Sequence, residues 1–271
     1  MYPLNKSELF REFLEHGKLV STKVIDAHTH MHAVGDASTP VSSEEDCIKL
    51  MDDENIESIW CTTHEDLFSP SNVVNEGTIG FAHKYPDRVK AYYAFNPNHK
   101  EIYLGGINRI LTDDSVIGLK FLPNYHNFAL EGDGYREALD FADEYKLIVL
   151  SHTWGDKPQN NVGNVREMIK SHKDLFFIMG HSAPGDLDGA IEVAKKHDNV
   201  YLDLCDIHRH SGIVEKMVNC VGSERILFGT DMPWYDPNYG IGSVLCAKIS
   251  DEDKKNVLYN NAKNLLNRSK R

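Results

Sequence analysis

Residues 24–30 read Val24-Ile25-Asp26-Ala27-His28-Thr29-His30, an apolar run that ends in two histidines one residue apart. Side chains alternate between the two faces of an extended strand, so His28 and His30 point the same way. Two imidazoles would then lie side by side where a buried strand meets solvent. Neutral imidazole is the commonest metal-binding side chain, and two of them make half of a divalent-metal site. Because such a pair also arises by chance or for packing, its weight depends on the rest of the chain.

Short apolar, β-branched or aromatic runs recur along the chain and alternate with stretches of helical spacing. They predict eight strands, at residues 24–28, 56–62, 89–95, 115–121, 147–151, 175–180, 199–203 and 225–229. Several runs are apolar almost throughout, as expected when helices cover both faces of a parallel sheet. Eight strand–helix units most simply close into a (β/α)8 TIM barrel, with a doubly wound open sheet as the runner-up. Two segments outside the repeat, near residues 6–16 and 251–266, predict additional helices at the two ends.

The length and composition fit one large domain that spans residues 1–271, since α/β barrels often reach this length undivided. The chain has 271 residues, of which 41% are hydrophobic, and a net charge of −12. This charge disfavours binding to nucleic acid or to anionic membranes, because phosphate groups would be repelled. No apolar run approaches the roughly 20 residues that cross a bilayer, and residues 1–20 lack the apolar core of a signal peptide. Five cysteines without a Cys-x-x-Cys pair predict reduced thiols and a cytoplasmic protein.

Polar residues also close later strands at the same end. His152 ends the fifth strand, His181 follows the sixth and Asp231 follows the eighth, while Lys120 lies in the fourth. The carboxyl ends of barrel strands form the active-site face, so these side chains would converge with the two histidines of the first strand. Each alone could be a rim residue, a helix cap or a surface lysine. Together, four imidazoles and a carboxylate are a ligand set for a catalytic divalent ion, zinc above all, with manganese, iron and nickel also compatible.

These residues resemble the amidohydrolase superfamily of metal-dependent hydrolases. The resemblance is closest to its amidohydrolase-2 branch of small single-domain barrels, which includes decarboxylases related to aminocarboxymuconate-semialdehyde decarboxylase. Gly180-His181-Ser182 and Phe228-Gly229-Thr230-Asp231-Met232-Pro233 are similar to the sixth- and eighth-strand motifs of that branch. Residues 260–266 resemble its closing helix, so the resemblance runs from about residue 23 to residue 266.

The resemblance implies a role for each of these residues. Four of them would hold the ion: His28, His30, His152 and Asp231. Asp231 would also accept a proton from metal-activated water, and His181 would bind a second ion or orient the nucleophile. In two-metal members a lysine at the position of Lys120 is carboxylated and bridges both ions, whereas in one-metal members such a lysine has a role toward substrate. The number of ions, one or two per chain, is therefore left open.

Four further residues near strand ends are candidates for contacts with a small-molecule substrate: His64, Tyr125, Trp154 and Arg209. Arg209 in particular could pair with a substrate carboxylate. The alternative for each is plain solvent exposure or packing at the rim. Trp234 and Tyr235, which follow Asp231, would wall the pocket or cap the barrel.

Two reactions need the same metal ligands, so the residues leave both open. The first is hydrolysis of an amide, ester or lactone bond of a small substrate by metal-activated water. The alternative is non-oxidative decarboxylation of a small unsaturated or aromatic carboxylic acid. A nuclease resembling the TatD group is less favoured, because that group carries a glutamate where this chain has Lys120 and because the charge is acidic. A non-catalytic small-molecule-binding barrel is the fourth hypothesis, and a homodimer is left open because barrels of this kind often form one.

Overall fold

Eight parallel strands form one sheet in which each strand pairs with its successor in the sequence. The computed structural model describes residues 4–31, 41, 43–68 and 75–269. The strands are β1 (Val24–Met31), β2 (Ile56–Thr63), β3 (Val89–Ala94), β4 (Val116–Phe121), β5 (Ile148–His152), β6 (Phe176–Gly180), β7 (Val200–Asp203) and β8 (Ile226–Leu227). All eight predicted strands are confirmed, with small shifts at their ends.

Helices lie between successive strands and at both ends of the described chain. They are α1 (Glu8–His16), α2 (Glu44–Asp53), α3 (His64–Phe68), α4 (Glu76–Lys84), α5 (Lys100–Gly106), α6 (Arg109–Thr112), α7 (Pro123–His126), α8 (Arg136–Glu144), α9 (Val162–Ser171), α10 (Leu187–Lys196), α11 (Ile213–Val221), α12 (Pro237–Cys246), α13 (Asp251–Lys255) and α14 (Asn261–Arg268). A π-helical segment, Asn256–Asn260, joins α13 to α14. The predicted terminal helices correspond to α1 and to this last helical stretch.

Irregular backbone pairing nearly closes the ring between its first and last strands. The amide of Ala27 donates to the carbonyl of Phe228 at 2.9 Å, and the amide of Asp231 donates to the carbonyl of His28 at 2.8 Å. Thr29 also forms a parallel bridge with Met232. These bonds confirm the TIM barrel over the open sheet, and they fix the segment that carries Asp231 directly beside β1.

Two apolar clusters occupy the two faces of the sheet. Val149 belongs to the larger cluster, whereas its neighbours Ile148 and Leu150 belong to the smaller one, as the alternation of a strand requires. Ala262 and Leu265 of α14 join the smaller cluster beside residues from the starts of several strands. Helix α14 therefore covers the amino-terminal end of the barrel, and the carboxyl ends of the strands are left for the site.

None of the helices in the described part of the chain combines the length and the apolar character that crossing a bilayer requires.

Candidate metal centre

The residues predicted to bind a metal form one cluster at the carboxyl ends of the strands. The imidazole centroid of His28 lies 5.6 Å from that of His30, 6.0 Å from that of His152 and 5.0 Å from that of His181. The four histidines and Lys120 are buried, and the side chain of Asp231 is 16% exposed. The barrel therefore brings together all six side chains that the sequence singled out, and their roles as ligands stay a prediction.

The ring of His28 is held by a carboxylate on one side. Its Nδ1 lies 2.7 Å from Oδ2 of Asp203, and because a carboxylate only accepts, Nδ1 carries the proton. Nε2 then presents its lone pair to the centre of the cluster, 3.6 Å from Oδ1 of Asp231. Lys120 Nζ donates to this same Nε2 at 2.6 Å. A positively charged group thus already lies next to the atom that a metal ion would use.

His30 is oriented in the same sense by the backbone. Its Nδ1 lies 2.9 Å from the carbonyl oxygen of Thr62, so Nδ1 is the protonated nitrogen. The lone pair of Nε2 therefore faces Oδ1 of Asp231 at 3.3 Å. Two acceptor atoms at this distance repel each other unless a cation lies near both. Fixing one ring nitrogen by a second partner is how metal-binding histidines are commonly oriented.

His152 and His181 are buried without partners for their rings. In the described part of the chain, neither ring nitrogen of either residue has a hydrogen bond, and Oδ1 of Asp231 lacks one too. Burial lowers the pKa of His152 well below its usual value and that of His181 to about 4. Both imidazoles are therefore neutral near pH 7 and offer lone pairs. Buried polar atoms are nearly always satisfied, so this concentration of orphans points to a missing ligand.

The donor set fits a divalent metal ion. One ring nitrogen from each of His28, His30 and His152 lies within 4.8 Å of the others, and Oδ1 of Asp231 faces two of these histidines. Three neutral imidazoles and one carboxylate are typical ligands of catalytic zinc and related ions. A second group, formed by His28, His181, Asp203 and Cys205, has comparable spacing, but its Asp203 is already hydrogen-bonded to His28.

Two turns that carry site residues have strained backbone. The φ angles of His181, Ser182 and Ala183 are 67°, 51° and 51°, and that of Asp231 is 64°. Left-handed conformations of non-glycine residues cost roughly 1–2 kcal/mol each and tend to cluster at functional sites. Hydrogen bonds hold these turns in place. Ser182 Oγ donates to the carbonyl of Asp203 at 2.7 Å, and the backbone amide of Asp231 donates to the carbonyl of His28 at 2.8 Å.

Asp203 and Asp26 are buried carboxyl groups next to the cluster that the sequence reasoning missed. Asp203 accepts from His28 and, at 3.1 Å each, from the amides of His181 and Cys205. Asp26 accepts the hydroxyl of Thr230 at 2.5 Å and so ties β1 to the segment before Asp231. Burial raises the pKa of both carboxyls, that of Asp26 to about 8. The signal was present, since Asp203 ends β7 and Asp26 interrupts an apolar strand.

A cavity of about 400 Å³ lies over the cluster. Its polar lining consists of His30, His64, His152, His181 and Asp231, and its apolar and aromatic lining of Phe68, Leu122, Tyr125, Trp154, Trp234 and Tyr235. Rings also contact one another here: the indole of Trp154 is stacked on the imidazole of His181, with 4.5 Å between centroids, and His64 is stacked on His30 at 4.4 Å. Three of the four predicted substrate-binding residues therefore lie on the cavity wall.

Arg209 and Lys120 are absent from this wall. Arg209 pairs with Asp206 at 3.1 Å and lines a separate surface depression, so the structure does not bring it to the cavity. Lys120 is fully buried behind His28, and burial lowers the pKa of its ammonium to about 8. Of these two cations, only Lys120 touches the cluster.

The comparisons with known proteins agree with this architecture. The amidohydrolase family model, Amidohydro_2, matches residues 25–268. Among curated proteins, none matches the chain.

Three solved decarboxylases share the fold. The 2,6-dihydroxybenzoate decarboxylase from Rhizobium is 14% identical, with a TM-score of 0.72 and coverage of 91% of this chain and 99% of that chain. A dihydroxybenzoic acid decarboxylase from Polaromonas, with bound manganese and the inhibitor 2-nitroresorcinol, is 16% identical, with a TM-score of 0.72 and coverage of 91% and 97%. The 5-carboxyvanillate decarboxylase from Sphingomonas paucimobilis is 13% identical, with a TM-score of 0.72 and coverage of 91% and 99%.

Proposed function

The chain belongs to the amidohydrolase family of enzymes, and we propose that it is a metal-dependent decarboxylase of a small aromatic or unsaturated carboxylic acid. The observation that carries the proposal is the wall of the cavity, which is aromatic or apolar except for the histidines and Asp231. Loss of CO2 disperses the charge of a carboxylate. An apolar surrounding that disfavours the localised charge therefore favours this reaction.

The residues of the cluster would have separate roles in the decarboxylation. His28, His30, His152 and Asp231 would hold a divalent ion, which when bound supplies the positive charge that holds and polarises an anionic substrate. His181 lines the cavity, and both of its ring nitrogens lack partners. Its ring, once it has taken up a proton from solvent, would pass that proton to the carbon that loses the carboxylate. In the overall reaction the carbon–carbon bond to the carboxylate breaks, CO2 leaves, and the electron pair on carbon takes that proton.

The known reactions of the structural neighbours support this choice. Two of the solved enzymes above act on dihydroxybenzoates, which are aromatic monocarboxylic acids, and the third acts on 5-carboxyvanillate, an aromatic dicarboxylic acid. Manganese in the Polaromonas enzyme makes this ion a second metal to try beside zinc. Imidazole and carboxylate ligands accommodate both, as well as iron and nickel.

Hydrolysis of an amide, ester or lactone is the second candidate, and Lys120 favours it. Lys120 is a buried lysine on the fourth strand whose Nζ lies 2.6 Å from Nε2 of His28, and the resemblance to two-metal hydrolases implies that such a lysine would bridge two ions. Two ions per chain that are lost together in Lys120→Ala would support this candidate, and one ion retained in that variant would contradict the bridging role.

The experiment is a turnover screen of zinc- and manganese-loaded protein against hydroxybenzoates, muconate-type acids, lactones, esters and N-acyl compounds. We expect CO2 release from an aromatic or unsaturated acid and, in D2O, one deuterium on the carbon that lost the carboxylate. His152→Ala should abolish turnover. The matched control is His172→Ala, because His172 is also buried but contacts Asp140 and Met168 far from the cluster. A new acid formed from a lactone or ester, without CO2 release from any acid, would contradict the proposal and favour hydrolysis.

A further inference from the structure

The cavity wall carries no lysine or arginine among the described residues that line it. Apart from two tyrosines, its ionisable side chains are four histidines and the carboxylate of Asp231. Two segments outside the described residues follow β1 and β2, and their sequences, 32–40 and 69–74, also contain neither lysine nor arginine. A substrate anion therefore finds no permanent cationic side chain on this wall.

Two cations that could serve as a counter-ion, Lys120 and Arg209, are both engaged elsewhere. Lys120 is fully buried behind His28 and donates to its Nε2. Arg209 is held by Asp206, whose Oδ1 also accepts the hydroxyl of Tyr235 at 2.9 Å. Tyr235 thus separates the Asp206–Arg209 pair from the cavity that its own ring lines. The carboxylate of Asp206 therefore neutralises the guanidinium of Arg209.

The rest of the wall is suited to a flat ring. The edge of Tyr125 meets His152 with 5.8 Å between centroids, and Trp234 meets His64 in the same way at 5.5 Å. A volume of about 400 Å³ is near the lower end of ligand cavities, which span roughly 300–1,000 Å³. Such a space suits one substituted ring between aromatic side chains.

We infer that the cavity selects planar aromatic monocarboxylates and rejects dicarboxylates of the same size; this inference rests on the proposed function. A divalent ion held by the cluster would supply positive charge at this wall, so one carboxylate of a substrate would find a partner there. A second carboxylate would lose water against aromatic rings without gaining a counter-ion, and an unpaired buried charge is strongly unfavourable.

The test compares ligands that differ in charge but not in shape. Binding of benzoate, isophthalate and monomethyl isophthalate to the zinc-loaded protein is measured by calorimetry and by quenching of tryptophan fluorescence. We expect benzoate and monomethyl isophthalate each to bind at least about tenfold more tightly than isophthalate. Isophthalate binding as tightly as its monomethyl ester would overturn the inference, and so would the absence of binding by all three acids.

A charge placed at the rim tests the cause of the selectivity. Phe68 lines the cavity and is 40% exposed, so Phe68→Arg adds a cation with little disturbance of the core. We expect Phe68→Arg to raise the affinity for isophthalate relative to benzoate at least about fivefold, and Phe68→Leu to leave the ratio unchanged. An unchanged ratio in Phe68→Arg would show that the missing cation is not the cause. Since these measurements need no turnover, tight binding of benzoate without CO2 release from any acid would contradict the proposed function and leave the inference intact.

Discussion

At the scale of single residues, the site depends on which nitrogen of each histidine carries the proton. Asp203 holds the Nδ1 proton of His28, and the carbonyl of Thr62 holds that of His30. The spacing of the two histidines predicts that they share a face, because strand geometry is local. Their partners could not be predicted in the same way, because Asp203 reaches His28 only when β7 and β1 take their places in the ring.

Asp203→Asn should weaken metal binding by about 10–100-fold, the usual effect of losing a carboxylate behind a ligand histidine. The amide keeps the size of the side chain but removes the charge that supports His28 and the turn of His181. Competition with a chelator measures the affinity, and circular dichroism checks the fold. Asp140→Asn is the matched control, because Asp140 contacts His172 in a similar pair at 3.0 Å outside the site. Equal affinity in both variants would rule out a positioning role for Asp203.

His126 should make the protein less stable in mild acid. Its Nδ1 accepts the hydroxyl of Tyr135 and its Nε2 donates to the carbonyl of Leu67, and burial lowers its pKa to about 4. In the unfolded chain the imidazole of His126 has a pKa near 6.5, so it takes up a proton at a pH at which the same imidazole in the folded chain stays neutral. The free energy of unfolding therefore falls as the pH drops from about 6.5 toward 4.

The size of this effect follows from proton linkage. Between pH 7 and pH 5 the His126 contribution to the loss is about 2 kcal/mol. Urea unfolding at both pH values should show that His126→Gln loses less free energy of unfolding between pH 7 and pH 5 than the unchanged protein does, by this amount. The contributions of the other buried histidines are the same in both proteins and cancel in that difference. Parallel pH dependence in the two proteins would mean that His126 does not carry the effect.

At the scale of elements, the apolar runs of the sequence predicted the strands, but they did not predict how the ring closes between the first and last strands. Strand β8 is short, because residues after Leu227 leave the regular ladder and bond to β1. Asp26 and Thr230 make this connection through their side chains. A carboxyl in an apolar strand was visible in the sequence, but its partner across the gap was not, because the pairing of β1 with the last strand is not local.

Thr230→Val tests this connection. The hydroxyl of Thr230 donates to Asp26 and accepts the amide of Met232 at 3.0 Å, so its removal leaves two buried groups unsatisfied. We expect a loss of about 1–3 kcal/mol in the free energy of unfolding, measured in urea. Thr112→Val, at an exposed position on α6, is the control and should change stability by less than about 0.5 kcal/mol. A loss no larger than that of the control would contradict the role assigned to the Asp26–Thr230 contact.

At the scale of the whole molecule, the barrel determines which predictions succeed. The ends of the strands are fixed by the fold, so His28, Lys120 and Asp231 meet although they are far apart in sequence. A side chain on a loop can contact any of several neighbours, and Arg209 pairs with Asp206 instead of entering the cavity. The location of the candidate site was therefore predictable from the sequence, whereas the charge of its wall required the structure.

The most direct test of the account is the metal content of the protein and of two histidine variants. Protein loaded with zinc or manganese and freed of excess ion is analysed for metal per chain, with His152→Ala as the site variant and His172→Ala as the control. We predict at least one ion per chain in the unchanged protein and in His172→Ala, and its loss in His152→Ala, because His152 offers one of the buried, unpartnered ring nitrogens of the cluster. Full metal content and undiminished affinity in His152→Ala would contradict the central claim that these histidines and Asp231 hold a divalent ion.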